Sequence, residues 1–589
     1  MRDGFIKVAA VTPDIRVADC EYNAEQICKK MKEAAALGSK IIVFPELCIT
    51  GYTCEDLFWQ EVLLNGAKDA LDQIRKESRE IDALVFVGLP WEWKGKLYNV
   101  AAAICHGRLL GLVPKKNLPN YSEFYEMRHF EPANEELDYI EYPGEEEQEW
   151  IPFGMQQIFY CPQMEGLTVA AEICEDLWVP LPPSTYHAMA GATVICNPSA
   201  SVETTTKESY RRSLVSNQSA RLLAAYIYAD AGEGESTQDV VYSGHHLICE
   251  NGSVLAEAKR FTNEIIYADI DVQKLAAERR KMTSFPGGQT DDYFEQEFSL
   301  EVKENKITRT FPKAPFVPDN QDERDKRCDE ILSLQSMGLK KRLEHTNCKH
   351  AVVGISGGLD STLAVLVTAR AFDLLDIPRE NLICVTMPCF GTTDRTYQNA
   401  VSLIKELGAT LKEVRIEKAV RQHFADIGHD ENNHDVTYEN SQARERTQIL
   451  MDMANQYNGM VIGTGDMSEL ALGWATYNGD HMSMYAVNCS VPKTLVRYLV
   501  LYYAETTENK KLSEVLMDVL DTPVSPELLP PVDGVISQKT EDLVGPYELH
   551  DFFLYYMLRF GFPKAKLYRM AKQTFDGVYA VSYTHLRAH

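Results

Sequence analysis

The sequence lacks any apolar run long enough to cross a bilayer, and it lacks the charged and apolar regions of a signal peptide. Arg2 and Asp3 stand near its start, before a short strand-like segment. These absences give no sign of a membrane span or of export. We therefore expect a cytoplasmic protein that has no membrane partner.

Cysteine patterns are also missing, although cysteine itself is not scarce. The fourteen cysteines form no Cys-x-x-Cys pair, no zinc-ligand cluster and no spacing typical of a disulfide framework. They are spread through apolar strand-like and helix-like segments, which fits a reducing compartment. No fixed-period repeat or low-complexity tract is present.

Positive charge is in short supply. Lysine and arginine number 59 against 86 aspartate and glutamate residues, which gives a net charge of −27. This balance argues against a general nucleic-acid or anionic-membrane surface, while a local basic pocket for a nucleotide stays compatible with it. With 589 residues, of which 45% are hydrophobic, the chain is globular and too long for a single core.

Strand-like and helix-like segments alternate over the first 270 residues, which predicts a layered α/β or α+β sandwich. The predicted strands include 5–11, 40–44, 83–88, 109–113 and 167–174, and the predicted helices include 19–37, 59–80, 184–191 and 207–221. A proline-rich segment at 284–325 is typical of an ordered linker that wraps against a domain. From 326 onward, strands at 351–355, 381–387 and 460–463 with helices between them predict a doubly wound α/β domain.

The stretch from residue 354 to residue 362 is Gly-Ile-Ser-Gly-Gly-Leu-Asp-Ser-Thr and follows the apolar segment 351–353. A small-residue turn between a strand and a helix presents backbone N–H groups beside the positive end of the helix, which suits phosphate. It differs from the common P-loop because no lysine follows the glycines. An acid at Asp360 makes sense if it holds Mg²⁺ against phosphate oxygens. The alternative is a strand–helix turn that Ser and Asp merely cap.

The Ser-Gly-Gly-x-Asp-Ser pattern resembles the pyrophosphate loop of the ATP pyrophosphatases. The resemblance implies cleavage of ATP between its α- and β-phosphates and adenylation of an acceptor.

Three apolar strands of the first region end next to chemically useful groups, namely Glu46, Lys115 and Cys174. Groups beyond the carboxyl ends of neighbouring strands converge on one crevice. A carboxylate that takes a thiol proton, an ammonium that stabilises an oxyanion and a cysteine nucleophile suit acyl transfer through a thioester. Taken singly, the three residues are better explained as a turn cap, a solvated lysine and a small buried side chain. Alternation along 167–174 places Cys174 on the same face as Glu172.

The short sequence motifs around these residues favour the catalytic interpretation. Phe-Pro-Glu-Leu around Glu46, Pro-Lys-Lys-Asn-Leu-Pro-Asn-Tyr from Pro114 and Ile-Cys-Glu-Asp-Leu-Trp around Cys174 resemble the three signatures of the nitrilase superfamily, in its glutamine amidotransferase branch. The resemblance implies an αββα sandwich, with Glu46 as proton acceptor, Lys115 as electrophilic stabiliser and Cys174 as nucleophile. It also implies that glutamine is held by Tyr121, Ser201 and Lys207.

A second group of polar residues follows the strand 460–463. Asp466 and Glu469 are three apart and share one helix face, so Asp360 and Glu469 could hold Mg²⁺ between them. Asp466 is also explained as an N-cap. Further on, Lys493 has a charge that suits phosphate, although a lone lysine is usually a surface residue.

This ordered set resembles the glutamine-dependent NAD⁺ synthetases over nearly the whole chain. By that resemblance the ATP-binding residues are Gly354, Ile355, Ser356, Gly357, Gly358, Leu359, Asp360, Ser361 and Thr464. The residues around deamido-NAD⁺ are Asn440, Glu469, Trp474, Asp480 and Lys493, and the metal ligands are Asp360 and Glu469.

The implied domains are a nitrilase-like glutaminase at 1–283, a linker at 284–325 and a doubly wound NAD synthetase domain of the adenine-nucleotide hydrolase type at 326–579. The implied reaction takes ammonia from glutamine and uses it, with ATP and Mg²⁺, to amidate deamido-NAD⁺ in a homo-oligomeric ligase. Two alternatives stay open: another pyrophosphate-loop amidotransferase, or an inactive nucleotide-binding or assembly protein. The family continues past the end of this chain, so we expect C-terminal shortening and a non-native or disordered tail at 580–589.

Overall fold

The computed structural model describes residues 3–134, 137–143, 148–288, 290–303, 305–391, 393–522, 528–529 and 540–579. The predicted tail at 580–589 lies outside these residues. Two compact units make up the chain, one ending at Arg309 and the other beginning at Thr310. None of the helices in the described ranges combines the length and the apolar character needed to cross a membrane.

The first unit is built from two sheets and six α-helices within the described residues. Its strands are β1 (Phe5–Val11), β2 (Ile41–Val43), β3 (Leu84–Trp93), β4 (Lys96–Cys105), β5 (Arg108–Pro114), β6 (Asp138–Pro143), β7 (Gln148–Phe153), β8 (Gln157–Tyr160), β9 (Thr168–Ala171), β10 (Val194–Ser199), β11 (Ala225–Asp230), β12 (Leu247–Glu250), β13 (Ser253–Glu257), β14 (Ile265–Asp271) and β15 (Phe294–Glu297). Its helices are α1 (Cys20–Ala36), α2 (Glu61–Glu77), α3 (Glu126–His129), α4 (Pro183–Met189), α5 (Lys207–Leu222) and α6 (Val272–Lys281).

The two sheets pack face to face and each carries helices on its outer side. The strand orders are β14-β1-β2-β3-β4-β5-β7-β6 and β13-β12-β11-β10-β9-β8-β15. Along β1, Ile6 and Val8 join the core between the sheets, whereas Ala9 and Val11 join the core under α1 and α2. Strands buried on both faces consist of nearly continuous apolar residues, as these do. The predicted αββα sandwich is confirmed.

Part of the predicted linker belongs to the first unit. Strand β15 pairs in parallel with β8 and extends the second sheet. The Arg309 guanidinium donates to Glu250 Oε2 at 2.9 Å, and the Thr308 N–H donates to Asp269 Oδ2 at 2.6 Å. The sequence-based boundaries at 283/284 and 325/326 therefore stay predictions beside a structural division at 309/310.

The second unit contains a parallel sheet with helices on both faces. Its strands are β16 (Ala351–Gly354), β17 (Leu382–Thr386), β18 (Thr410–Glu413), β19 (Met460–Gly463) and β20 (Tyr485–Ala486). Its helices are α7 (Gln321–Thr346), α8 (Leu359–Asp373), α9 (Asp394–Leu407), α10 (Glu417–Ile427), α11 (Val436–Tyr457), α12 (Met467–Leu472), α13 (Lys493–Thr506), α14 (Lys510–Leu520), α15 (Thr540–Val544), α16 (Tyr547–Phe560) and α17 (Lys564–Thr574).

The strand order of this sheet is β18-β17-β16-β19-β20, with every pairing parallel. The order reverses between β16 and β19, and ligands of doubly wound sheets bind beyond the carboxyl ends of the strands at such a reversal. Helices α8 and α13 pack on one face through Leu363 and Val496, and α10 packs on the other through Phe424. The predicted doubly wound domain is confirmed.

Candidate active sites

The first site forms where Glu46 leaves the end of β2. Glu46 Oε1 accepts hydrogen bonds from Asn99 Nδ2 at 2.7 Å and from Lys115 Nζ at 2.5 Å. Its Oε2 accepts from the Ala200 N–H at 2.9 Å. Both oxygens are therefore held, and the side chain is buried. The carboxylate is fixed in orientation before any substrate arrives.

Lys115 is bound by a second carboxylate that the sequence reasoning missed. Its Nζ lies 2.7 Å from Glu126 Oε1, which also accepts from the Tyr52 hydroxyl at 2.8 Å. Burial alone would lower the pKa of Lys115, but the Glu126 and Glu46 carboxylates outweigh it and hold that pKa well above its usual value. Lys115 is therefore a charged ammonium in a fully buried place.

The pKa of Glu126 depends on this lysine and on Glu46. Burial raises the pKa of Glu126 to about 7, Lys115 opposes the rise, and Glu46 adds to it. Glu126 lies on α3, a single turn of helix within an irregular segment. No strand end or periodic pattern marks that turn, so the sequence offered no signal for its role.

Cys174 stands just after β9, at the first residue of a 3₁₀ turn that spans Cys174–Leu177. Its φ is +42°, in the left-handed region, and its N–H donates to Asn197 Oδ1 at 3.0 Å. A non-glycine residue in this region costs on the order of 1–3 kcal/mol and persists only where its surroundings enforce it. The turn re-aims the cysteine away from the direction of the strand.

The predicted face of Cys174 is wrong. Cys174 packs with Ala171 and Ile173 in the core between the sheets. Glu172 instead accepts a hydrogen bond from the Tyr226 hydroxyl, and Tyr226 belongs to the core on the outer side of the second sheet. Alternation fails here because the strand ends at Ala171, three residues before the cysteine.

The thiol is protonated at rest. Burial raises the pKa of Cys174 well above its usual value and the Glu46 carboxylate raises it further, while Lys115 and a hydrogen bond with Ser199 lower it. Both Glu46 and Lys115 thus lie within electrostatic reach of the sulfur. The structure brings together the three residues that the sequence singled out.

Tyr121 and Lys207, two of the three predicted glutamine-binding residues, contact residues that follow Lys115 or Cys174 in the sequence. The Tyr121 hydroxyl donates to Glu175 Oε1 at 2.9 Å, next to the cysteine in sequence. Lys207 Nζ lies 5.1 Å from the ring centre of Trp178 and 5.8 Å from that of Phe124. Their contact with glutamine stays a prediction.

Ser201 is buried, and its hydroxyl is already engaged. Arg211 Nη2 donates to Ser201 Oγ at 3.3 Å, and the Ser201 N–H donates to Asp230 Oδ1 at 2.8 Å. Its role toward glutamine also stays a prediction.

The second site begins at the turn between β16 and α8. Gly357 has φ +87°, and a Cβ there would stand 2.1 Å from the Thr396 carbonyl oxygen. Only glycine fits this place. The Ser356 hydroxyl accepts from the Gly358 N–H at 3.2 Å, and the Ser361 hydroxyl donates to the Gly358 carbonyl at 3.1 Å. These hydrogen bonds fix the turn from Ser356 to Ser361, which we call the Ser356–Ser361 cradle.

A cavity of about 260 Å³ lies beyond the carboxyl ends of β16, β17 and β19. Of the predicted ATP-binding residues, those that line it are Gly354, Ile355, Ser356, Asp360, Ser361 and Thr464. Gly357, Gly358 and Leu359 shape the turn without lining the cavity. Lining residues that the sequence did not single out include Thr386, Met387, Arg446, Thr447 and His481. They reach the cavity from β17, α11 and a loop, so no single stretch of sequence could have shown them together.

Three carboxylates meet at one edge of this cavity. Ligand oxygens of Asp360, Asp466 and Glu469 lie within 4.8 Å of one another. The Lys493 ammonium bridges them, with Nζ 2.6 Å from Asp360 Oδ2, 2.7 Å from Asp466 Oδ2 and 2.8 Å from Glu469 Oε1. Asp466 also caps α12, since its Oδ1 accepts from the Glu469 N–H at 2.8 Å.

One ammonium does not balance three carboxylates. Burial and the nearby Asp360 raise the pKa of Asp466 to about 8 and that of Glu469 to about 7, against the opposing pull of Lys493. Asp360 Oδ1 is buried and finds no hydrogen-bond partner among the described residues. An all-oxygen donor set with surplus negative charge suits a hard divalent cation such as Mg²⁺.

The remaining predicted dinucleotide contacts flank the cavity. Trp474 and Asp480 line it. Asn440 Oδ1 accepts from the Thr476 hydroxyl at 2.8 Å, and Asp480 Oδ1 accepts from the Thr476 N–H at 2.7 Å. Thr476 therefore connects two of the predicted residues. The structure places Lys493 among carboxylates, and its predicted contact with deamido-NAD⁺ stays a prediction.

A buried cysteine with a glutamate and a lysine, on an αββα sandwich, is the arrangement of a carbon–nitrogen hydrolase, and the cradle-bearing second unit is that of an ATP-using synthase. Residues 7–280 match the family described as carbon-nitrogen hydrolase, and residues 331–559 match the one described as NAD synthase.

Relatives match over almost the full chain. The glutamine-dependent NAD(+) synthetase of Mycobacterium bovis is 40% identical over 580 residues, which cover 96% of this chain and 85% of that protein. The one from Aquifex aeolicus is 30% identical over 538 residues, covering 91% and 86%. A solved structure of the Acinetobacter baumannii enzyme with adenosine diphosphate is 21% identical, with a TM-score of 0.39, over 99% of this chain and 92% of that one.

The chain belongs to the glutamine-dependent NAD⁺ synthetases, which are glutamine-hydrolysing ligases. The family resemblance inferred from the motifs is confirmed, and another pyrophosphate-loop amidotransferase is excluded. The matches give no support to the predicted C-terminal shortening.

Proposed function

We propose that the first unit releases ammonia from glutamine through Glu46, Lys115 and Cys174, and that the second unit uses ammonia to convert deamido-NAD⁺ to NAD⁺ at the cavity beside Asp360. The observation that carries the proposal is the buried Glu46–Lys115 pair within electrostatic reach of the Cys174 thiol. Each residue type then has one chemical task.

The glutaminase half starts from a neutral thiol. Cys174 Sγ attacks the side-chain amide carbon of glutamine while its proton passes to Glu46, because a thiol with a raised pKa needs a base. The Lys115 ammonium stabilises the oxyanion. Glu46 returns the proton to the departing nitrogen, so ammonia leaves and a thioester forms. Water, deprotonated by Glu46, then attacks the thioester carbon. The carbon–sulfur bond breaks, Cys174 takes the proton back from Glu46, and glutamate leaves.

The synthetase half joins a carboxylate to AMP. An oxygen of the nicotinate carboxylate attacks the α-phosphorus of ATP and pyrophosphate leaves, and ammonia then attacks the acyl carbon and displaces AMP. The Ser356–Ser361 cradle at the positive end of α8 binds phosphate oxygens. Trp474, Asp480 and Asn440 lie on the side where the dinucleotide would bind.

Mg²⁺ fits the same edge of the cavity. Asp360, Asp466 and Glu469 would hold it, and it would spread the charge that develops on pyrophosphate. Lys493, which binds these carboxylates in the structure, would turn toward phosphate oxygens when they enter.

Location and assembly complete the proposal. We place the protein in the cytoplasm as a homo-oligomer, and we expect it to bind ATP, deamido-NAD⁺ and glutamine or ammonia. This part of the proposal rests on the family resemblance and on cysteine usage. The fourteen thiols are all free in the structure.

The direct test supplies the purified chain with ATP, MgCl₂ and deamido-NAD⁺, together with either glutamine or ammonium chloride. We expect NAD⁺ with both donors, with AMP and pyrophosphate formed in equal amounts. Formation of NAD⁺ without ATP, or none with either donor, would contradict the proposal. The second outcome would favour the alternative of an inactive nucleotide-binding or assembly protein.

A further inference from the structure

A chain of buried hydrogen bonds runs from the nucleophile to a carboxyl group that the mechanism above does not use. The Cys174 N–H donates to Asn197 Oδ1 at 3.0 Å, and Asn197 Nδ2 donates to the Tyr226 hydroxyl oxygen at 2.9 Å. The Tyr226 hydroxyl donates to Glu172 Oε1. Glu172 Oε2 accepts from the Ser184 N–H at 2.7 Å. Every side chain along this path is buried.

The direction of each hydrogen bond is fixed. A backbone N–H can only donate, so the Asn197 oxygen faces Cys174 and its NH₂ group faces Tyr226. The Tyr226 oxygen accepts there, which leaves its single proton for Glu172. The path therefore ends on a group that must accept at both oxygens. No member can be reversed without leaving a buried donor unpaired.

The path leaves the segment after β9, crosses two neighbouring strands and returns to the same segment. Asn197 lies on β10 and Tyr226 on the parallel neighbour β11, where Tyr226 stands opposite Ile195. Glu172 lies between β9 and the turn that carries Cys174. The hydrogen bonds thus connect three adjacent strands to one strained peptide, the one with φ +42° at Cys174.

We propose that Asn197, Tyr226 and Glu172 are positioning residues for glutamine hydrolysis, holding the Cys174 backbone in the left-handed conformation that aims its thiol at the substrate. This inference rests on the proposed role of Cys174 as nucleophile. The three residues touch neither glutamine nor the reacting sulfur. They act by keeping one backbone N–H bound to a fixed acceptor.

The test uses Tyr226→Phe in the full chain. Removing the hydroxyl leaves Asn197 Nδ2 without its acceptor, and the amide is free to turn away from Cys174. We expect kcat with glutamine to fall about 10- to 100-fold, as for a misplaced reacting group, while KM for glutamine stays within about twofold. The kcat with ammonia should be unchanged, because that reaction does not use Cys174.

Glu172→Gln provides a second variant that keeps the size of the side chain. An amide cannot accept at both ends, so either the Tyr226 hydroxyl or the Ser184 N–H meets a donor. It should show the same split between kcat and KM. The double variant should be no worse than the poorer single variant, because both break one path.

Tyr293→Phe is the matched control. It deletes another tyrosine hydroxyl of the same unit, from a half-buried side chain, and this hydroxyl lies 2.9 Å from His187 Nδ1 and outside the path. We expect it to retain wild-type kcat with glutamine. Thermal unfolding and ammonia-driven synthesis report whether each variant is folded.

Three outcomes would overturn the inference: glutamine kcat within twofold of wild type in Tyr226→Phe and Glu172→Gln, equal loss with both nitrogen donors, or an equal loss in Tyr293→Phe. The Cys174→Ala variant separates this failure from that of the proposed function. If Cys174→Ala abolishes glutamine-driven synthesis and the path variants do not affect it, only the positioning role is wrong. If Cys174→Ala keeps that activity, the proposed function itself is wrong.

Discussion

Each of the two candidate sites places a lysine among carboxylates, yet the two arrangements differ in how far they are enclosed and in their charge balance. Lys115 bridges Glu46 and Glu126 in a place where lysine and glutamates are closed off from solvent. Lys493 bridges three carboxylates, of which Asp360 and Glu469 line a cavity, and one oxygen of Asp360 has no hydrogen-bond partner among the described residues. Glu126 Oε2 likewise has no hydrogen-bond partner among the described residues. The two sites therefore differ in enclosure and charge balance, since one ammonium faces two enclosed carboxylates in the first and three carboxylates beside a cavity in the second.

The difference teaches what each lysine is for. An ion pair that is closed off from solvent suits fixed catalytic charges, because these are oriented before substrate binds. Three carboxylates that share one ammonium beside a cavity suit a further cation, and we expect Lys493 to act as a counter-ion that can move. Changes that remove either lysine should distinguish these two roles.

The largest effect is expected for Lys115→Met. It leaves Glu46 and Glu126 buried without their counter-ion, and breaking a buried pair in this way costs about 3–5 kcal/mol. Calorimetric unfolding of the first unit should show this loss, and glutamine-driven synthesis should vanish. Magnesium ions should not restore either property.

Lys493→Met is the comparison variant in the second unit. Its loss of stability should be smaller and should be recovered by millimolar Mg²⁺ or Mn²⁺, because a divalent cation can take the vacated place. Recovery of Lys115→Met by the same ions, or absence of recovery in Lys493→Met, would erase the distinction between the two lysines.

Asp360→Asn should affect only the second site. It deletes a charged cation ligand beside the phosphate cradle, so synthesis should fall on the order of 10²- to 10³-fold with glutamine and with ammonia alike. Glutamine hydrolysis should persist. Asn has nearly the same size, which keeps the packing at the start of α8. Normal synthesis in this variant would contradict the role of Asp360 as a cation ligand.

Residues at strand ends were accessible to sequence reasoning. Glu46 and Lys115 come shortly after apolar strands of one sheet, and Asp360 lies in the first turn of the helix that follows an apolar strand of another. Within each sheet, neighbouring strands bring such groups to one edge. Glu126 was not accessible, since it lies on a one-turn helix that only tertiary packing brings to Lys115. The face of Cys174 was predicted wrongly because alternation was extended past the point where β9 ends.

A similar limit applies to charge. From the sequence, Lys493 suggested phosphate contact, and its position among Asp360, Asp466 and Glu469 emerges only when α12 and α13 pack together. Local patterns therefore identified the fold and the chemistry, whereas the partners of each charge depended on long-range contacts.

The smallest expected effect is a pH dependence of stability that comes from a buried histidine of the first unit, His246. Burial, with a smaller effect of His245, lowers the pKa of His246 to about 3. The unfolded chain takes up this proton below about pH 6.5 and the folded chain does not. The contribution of neutral His246 is therefore full above that pH and is lost as the pH falls toward 3, by at most about 1.4 kcal/mol per pH unit.

The variant His246→Gln should remove this slope. Urea unfolding of the first unit at pH 7, 6 and 5 measures this slope. As the pH falls, the free energy of unfolding of the variant should decrease less steeply than that of wild type, by an amount that corresponds to at most one proton taken up on unfolding. His187, whose pKa burial lowers to about 4, remains in both proteins and serves as an internal reference. Parallel slopes for the two proteins would mean that His246 is charged in the folded chain.

The central claim is that the two sites perform separate chemistry, one on glutamine and one on ATP and the dinucleotide. Cys174→Ala tests it most directly, with NAD⁺ formation measured in parallel with glutamine and with ammonium chloride. We predict complete loss with glutamine and nearly wild-type kcat with ammonia. Equal loss with both donors would contradict the claim, and so would retention of activity with glutamine.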